Sequence, residues 1–278
     1  MRKFLAALVI LCLLAMLVAP VAYATPIGDS NVSSLDIELQ QQKEVEQLLP
    51  RDEAIKKFNE NKAIADQQKR EADQKALEQI IQGAKTLPGS AQKPPVPQSK
   101  DIGSVAPAAV VKTWYYWPYT NQSKGGSGIG WSDVYWAASD IIRNGSRAEV
   151  YGNYWAKAWG WDYYTPSTTG NYSVTTYFYV TGAIYSGSYL AVRVKVTDTT
   201  TGQTITRTIF NPTSGYFDNQ WVSATEQFYL YAGRRYAFTF ETETNAGAIY
   251  SATASDFYTR EFDGTQRQIY FWSMSLSV

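Results

Sequence analysis

The segment 188–210 constrains the fold of this chain more than any other, because it predicts a β-hairpin with one apolar face. Its first half alternates Leu190, Val192, Val194 and Val196 with Ala191, Arg193 and Lys195. A period of two places the aliphatic side chains on one face of a strand. A turn at 198–202 and a β-branched return strand follow. Because a lone hairpin is not stable in water, further strands must cover its apolar face.

The residues able to form those strands lie in the same part of the chain. Of the 41 Phe, Trp and Tyr residues, 38 lie beyond Val111, including all nine Trp. Ten strands are predicted there, at 113–118, 130–138, 147–162, 172–184, 189–198, 203–211, 220–231, 235–244, 247–257 and 267–278. Short alternating strands separated by turns predict a mainly β domain over 111–278, a two-sheet antiparallel β-sandwich that is jelly-roll-like.

The start of the chain predicts export. Residues 1–24 combine Arg2 and Lys3, an apolar run and the small-residue sequence Ala22-Tyr23-Ala24, a pattern typical of a signal peptide cleaved after Ala24. The alternative is an uncleaved membrane anchor, because the apolar run is just long enough to span a bilayer. In both cases the rest of the chain is expected outside the cell, so a secreted or extracellular protein is predicted.

Between the signal and the β domain, the sequence predicts a polar helical stalk over 25–85 and a Pro-rich linker over 86–110. The main helix is predicted from Arg51 to Gln82, with Gly83 as its stop. Two interpretations remain open: a coiled coil that oligomerises the protein, or a lone charged helix. The apolar positions approximate a heptad seam that two lysines interrupt: Ile55, Phe58, Ala65, Ala72 and Ala76, with Lys62 and Lys69.

Residue types that are scarce in the sequence exclude several functions. The chain has no histidine, and its one cysteine, Cys12, lies in the predicted signal peptide. Catalysis by a Cys or His nucleophile and zinc sites with Cys or His ligands are therefore excluded. No catalytic residue, metal ligand or cofactor is predicted. The formal net charge is zero, which argues against a nucleic-acid partner.

The most unusual stretch is the aromatic strand 151–164. Trp155, Lys157, Trp159 and Trp161 alternate along it and share one face. Two interpretations remain open. Since lysine is almost never fully buried, the row could be a surface on which sugar rings stack. The alternative is that the Trp residues belong to the core and the lysine reaches out from its edge.

Other candidate sites are weaker. Glu241 and Glu243 share a strand face at a spacing that permits a glycosidase pair, although any solvated strand would satisfy it. Three aspartates could bind calcium, but they lack regular spacing. Four N-x-S/T sequons predict glycosylation sites. The aspartates are Asp218, Asp256 and Asp263, and the sequons are at Asn31, Asn121, Asn144 and Asn171.

The β half resembles the jelly-roll modules found on many exported carbohydrate-active proteins. The resemblance rests on the strand pattern alone and carries over no residues. The leading prediction is an exported or cell-surface, non-enzymatic protein whose β-sandwich binds glycans or cell-envelope partners. A structural or assembly subunit of an extracellular matrix or filament is the alternative. A carboxylate-dependent glycoside hydrolase or lyase is the third possibility. Membrane contact is expected only through an uncleaved N-terminus, and oligomerisation only through the helix.

Overall fold

The computed structural model describes residues 50–87, 109–136, 140–259 and 266–278. One helix, α1 (Arg51–Thr86), precedes ten strands. The predicted signal peptide, residues 25–49 of the predicted stalk and most of the linker lie outside the described residues. The strands are β1 (Val110–Trp114), β2 (Tyr119–Trp136), β3 (Ile141–Tyr164), β4 (Gly170–Ile184), β5 (Ser188–Asp198), β6 (Thr204–Phe210), β7 (Gly215–Leu230), β8 (Tyr236–Gly247), β9 (Thr253–Phe257) and β10 (Gln268–Ser277).

The strands form two facing antiparallel layers, which confirms the predicted fold class. The front sheet has the order β2-β3-β8-β5-β6, and the back sheet has the order β1-β10-β4-β7. Strand β9 and the start of β3 join the two sheets at one corner. With β2 and β9 set aside, the eight other strands numbered along the chain run 2-7-4-5 in front and 1-8-3-6 behind. This alternation between sheets is that of a jelly roll made of two Greek keys.

Aromatic side chains fill the space between the sheets. The ring of Phe240 on the front sheet lies 5.6 Å from Phe178 and 4.9 Å from Phe271, both on the back sheet. The inner face of the predicted hairpin adds Leu190, Val192, Val194 and Val196, all buried as the alternation requires. Burial of these side chains on both inner faces is the main stabilising contribution to the sandwich.

Helix α1 lies along the outer face of the front sheet, against β2 and β3. Its polar sequence forms a helix because Asp52 and Glu53 suit the first turn and side chains four residues apart pair, as in Lys62–Asp66 at 2.5 Å. Only four of its residues are buried: Ala54, Ala65, Ile80 and Ala84. Within the described ranges, no helix is long and apolar enough to cross a bilayer.

The prediction that Gly83 ends the helix is wrong. The helix continues to Thr86, and Gly83 serves a different purpose there. A Cβ at position 83 would lie 2.5 Å from the hydroxyl oxygen of Tyr163. The glycine therefore allows the helix to approach the sheet, and the Tyr163 hydroxyl donates a 2.7 Å hydrogen bond to the carbonyl oxygen of Ile80.

Candidate functional site

The predicted aromatic row lies beneath α1. Trp155, Lys157, Trp159 and Trp161 do share one face of β3, but their exposed fractions are 1%, 2%, 3% and 7%. The interpretation that this row is open to solvent is therefore wrong, because the helix covers it; the tryptophans are buried as the alternative predicted, but Lys157 is buried with them. Ligand binding by these four residues stays a prediction, and it requires α1 to move away. We call this surface the covered face.

Hydrogen bonds and apolar packing tie the indoles of the covered face to the helix. The Trp155 indole nitrogen donates to the carbonyl oxygen of Ala65 at 3.1 Å. Trp161 donates to the hydroxyl of Tyr163, which in turn binds the last turns of α1. Trp159 packs with Trp161 and Tyr163 in one apolar cluster, which also contains Ile80, Ala84 and Ala237. These contacts make the tryptophans part of a second, smaller core between helix and sheet.

Lys157 is buried because carboxylates surround it. Its ammonium group donates to Asp73 of α1 and lies 3.5 Å from Glu243 and 3.9 Å from Glu241. Burial lowers the pKa of this lysine, but the three carboxylates outweigh that effect and the net shift is upward. A buried lysine needs such partners, which the spacing of residues along β3 alone does not show.

The two carboxylates predicted as a possible glycosidase pair belong to the same network. Burial raises the pKa of both Glu241 and Glu243, but the cations around them outweigh it, and both pKa values are lowered. A glycosidase general acid needs a raised pKa, so this environment does not suit either residue to that role. Their hydrogen-bond donors are Arg193 and Lys195 for Glu241, and Lys69, Tyr189 and Arg193 for Glu243.

A different set of aromatic side chains is open to solvent, on the outer face of the back sheet. Trp221 is 57% exposed, Trp272 is 53% exposed and Tyr177 is 42% exposed, with Tyr179 and Tyr270 half-buried between them. Strands β7, β4 and β10 carry these five residues, which together define the open face. A contiguous exposed apolar patch on a folded domain is typical of an interaction site.

Four of the five rings of the open face, all except Tyr177, form one cluster. Tyr179 is the register partner of both Trp221 and Tyr270, and its ring centroid lies 5.2 Å and 4.9 Å from theirs. Trp272 closes the group at 5.7 Å from Trp221 and 6.3 Å from Tyr270. The half-buried tyrosines thus support the two indoles, which present the most surface.

A bulge in β10 aims Trp272 outward. The register with β4 shifts between Phe271, opposite Phe178, and Ser273, opposite Tyr177. The extra residue in the bulge is Trp272, while Phe271 and Met274 on either side remain in the core. Simple alternation from Met274 back to Trp272 predicts that both point inward, so sequence reasoning missed this residue. The neighbouring pair Phe271-Trp272, two large apolar residues in succession, is the signal that favours a bulge.

Uncharged polar side chains continue the rows of the aromatic cluster along the strands, while the carboxyl group of Asp140 lies beside Tyr270. The rows that continue from it along β4, β7 and β10 carry hydroxyl and amide groups, and Thr175 and Thr225 hydrogen-bond across strands at 2.9 Å. A hydrogen bond to Asp140, assisted by burial, raises the pKa of Tyr270 to about 12. The outward-facing members of those rows are Asn171, Ser173, Thr175, Ser223, Thr225, Gln227, Ser275 and Ser277, together with Ser273, which is buried.

The remaining predicted sites have mixed outcomes. Asn144 is fully buried and binds Thr242, which opposes a glycan there. Asn121 donates to Gln79 of α1 at 2.7 Å. Asn171 is exposed, and Asn31 lies outside the described residues, so glycosylation stays a prediction.

The calcium possibility gains no support from the described part of the chain. Asp256 is engaged by Arg267 at 2.6 Å, and Asp263 lies outside that part. No cluster of three or more metal-ligating side chains occurs among the described residues.

Comparisons with known proteins give a similarity of overall structure at low sequence identity. No protein-family model and no curated protein matches the sequence. Among solved structures, the chain is similar to TmCBM61 in complex with β-1,4-galactotriose, with a TM-score of 0.29, 13% identity and coverage of 58% of this chain and 90% of the module. It is also similar to a carbohydrate-binding module of Cellvibrio mixtus lichenase 5A in complex with cellotriose, with a TM-score of 0.28, 12% identity and coverage of 61% and 98%. A third is the C-terminal family 22 carbohydrate-binding module of Clostridium thermocellum Xyn10B, with a TM-score of 0.25, 14% identity and coverage of 59% and 94%.

Proposed function

We propose that this protein binds carbohydrate through the open face. The observation that carries the proposal is the pair of half-exposed indoles, Trp221 and Trp272, which two tyrosines support. The described rows that continue from them carry uncharged side chains. The apolar C–H faces of a sugar ring stack on such indoles and remove their apolar surface from water. The neighbouring hydroxyl rows supply both donors and acceptors for the sugar hydroxyl groups.

The contribution of each indole to the free energy of carbohydrate binding can be taken from general values for aromatic contacts. An aromatic contact contributes about 0.5–1.5 kcal/mol beyond the burial of its area, and about 1.4 kcal/mol corresponds to a tenfold change in affinity. Trp221→Ala and Trp272→Ala should therefore each weaken carbohydrate binding roughly tenfold. Because both side chains are half-exposed, the variants should remain folded.

The test is retention of the full chain on affinity gels that contain soluble polysaccharides. The double variant Trp221→Ala/Trp272→Ala should lose the retention shown by the wild type. Tyr185→Ala is the matched control, since Tyr185 is 56% exposed in the turn after β4, away from the open face. Equal retention of the double variant and the wild type would refute the proposal.

An assembly subunit is the second candidate. It is favoured by β7 (Gly215–Leu230), a long strand that pairs only with β4 among the described residues and so presents a free edge. Sedimentation velocity separates the two candidates. Self-association that the double variant abolishes, without any carbohydrate retention by the wild type, would favour the assembly function.

The proposal includes export, because cell-surface and extracellular polysaccharides are the partners that an exported chain meets. The basis is the pattern in residues 1–24. N-terminal sequencing of protein recovered from the culture medium should start at Thr25. Recovery of the intact N-terminus in a membrane fraction would show an uncleaved anchor instead.

A further inference from the structure

We propose that the open face takes a single, uncharged glycan chain, and not a crystalline polysaccharide surface or a polyuronate. This inference rests on the proposed function and specifies the class of carbohydrate. Three features of the open face carry it: the angle between its two indoles, the direction in which its polar rows run, and the charge of its side chains.

The two exposed indoles do not lie in one plane. Trp221 and Trp272 meet at an interplanar angle of 75° with their centroids 5.7 Å apart. A flat crystalline surface can stack on several rings at once only if those rings are coplanar. Two indoles nearly at right angles form a corner instead, which receives one sugar ring on the face of one indole and against the edge of the other.

The tyrosines cannot restore a flat platform. Tyr179 and Tyr270 stack on each other with an interplanar angle of 9° at 4.9 Å, so each ring turns one face to its neighbour. Both are half-buried. Their role is to hold the indoles in place, and the stacking surface of the open face remains the corner made by Trp221 and Trp272.

Polar rows continue from the aromatic cluster in the direction of the strands. The row that contains Trp221 is followed by one that contains Ser223, then Thr225, then Gln227, each with partners on β4 and β10. Residues two apart on a strand are separated by about 6.7 Å, so these rows extend about 20 Å. A glycan chain that stacks at the corner and runs along the strands would meet hydroxyl or amide groups over several sugar units.

Among the described residues, the outward rows of the open face offer no cation to an acidic polymer. The outward-facing side chains of its rows are Ser, Thr, Asn, Gln, Tyr and Trp. The carboxyl group of Asp140 beside Tyr270 would repel a uronate. Proteins that recognise carboxylates rely on charge-assisted bonds from Arg or Lys, and the rows described here present neither.

The experiment compares three kinds of probe with the full chain. The neutral probe is a set of soluble β-linked glucan, galactan and xylan hexasaccharides, followed by tryptophan fluorescence. The other two are polygalacturonate in affinity gels, and depletion by crystalline cellulose or chitin powder. We expect saturable binding to at least one neutral hexasaccharide, weakened at least tenfold by Trp272→Ala and unchanged by Tyr185→Ala.

Each other outcome has a distinct meaning. Binding only to crystalline powder, or only to polygalacturonate, would overturn the inference and leave carbohydrate binding by the open face intact. Binding to none of the probes would overturn both. A charge variant adds an independent check: Ser223→Lys should increase retention on polygalacturonate and Ser223→Gln should not. Equal retention of the two variants would contradict the assignment of that row to the ligand path.

Discussion

Replacing Trp159 by alanine separates the core role of the covered face from a surface role. Trp159 is 3% exposed and packs against Ile80 and Ala84 of α1 and against Ala237. Deleting a buried Trp side chain costs about 3–5 kcal/mol. The indole nitrogen has no hydrogen-bond partner among the described residues, and its removal relieves a cost of about 1 kcal/mol or more. We therefore expect a loss near the lower limit, about 3 kcal/mol.

Urea unfolding measures this loss directly, and thermal unfolding should show a decrease in Tm of about 6–12 °C. The matched control is Trp221→Ala, because Trp221 is 57% exposed and should lose only its ring contacts, about 1 kcal/mol or less. A free energy of unfolding for Trp159→Ala within about 1 kcal/mol of the wild type would refute the assignment of this residue to a core.

Three further predictions concern α1 and the network beneath it. Glu243→Gln should lower the free energy of unfolding by about 3 kcal/mol, because it removes a buried negative charge that Lys69, Lys157 and Arg193 share. Glu226→Gln is the control, since Glu226 forms a partly exposed pair with Arg207, and it should change that free energy by less than about 1 kcal/mol. Equal effects would contradict the network. The pKa values of Glu241 and Glu243 are lowered in the folded protein. The contribution of these carboxylates to the free energy of unfolding is therefore complete above their ordinary pKa of 4.5, and it is lost as the pH falls through the folded-state pKa. The urea concentration at the midpoint of unfolding should thus decrease when the pH is lowered below about 4.5, and the decrease should be smaller in Glu243→Gln. A midpoint that does not change with pH would refute this. A chain that starts at residue 109 should still unfold cooperatively, since its main core lies between the sheets, but at a lower Tm and with more binding of a hydrophobic dye; non-cooperative melting would show that α1 is required for the fold.

The local features of the fold could be predicted from the sequence. The β5–β6 hairpin depends on alternation and on a turn within 23 residues, and both are visible in 188–210. Each of the ten predicted strands overlaps an observed one. Jelly-roll order could be predicted only as a class, because the pairing of β1 with β10 joins residues far apart in the sequence.

The position of α1 could not be predicted, because its packing stripe contains too little apolar surface. Three of its four buried residues are alanines, and Lys69, which interrupts the predicted heptad seam, instead donates to Glu243. A lysine that pairs across an interface has the same sequence signature as a solvated one. The same difficulty applies to Lys157, which was expected near solvent and is buried among carboxylates.

The candidate site could not be predicted because alternation assigns residues to a face without identifying the face that meets solvent. Both faces of β3 are buried: Ala156 lies between the sheets and Trp159 beneath α1. On β10 the alternation itself fails, since the bulge at Trp272 reverses the direction of that side chain. The covered face was therefore predicted as the site, and the open face was missed.

The most direct test of carbohydrate binding by the open face is a nuclear magnetic resonance titration of the indole N–H signals with the neutral hexasaccharides. The nine tryptophans of the chain include different residues on the covered face and on the open face, so the indole signals report on the two faces separately. The signals of Trp221 and Trp272 should shift with a common saturation curve, while those of Trp155, Trp159 and Trp161 should not move. Shifts confined to the three tryptophans beneath α1, or no shift in any indole signal, would contradict binding at the open face.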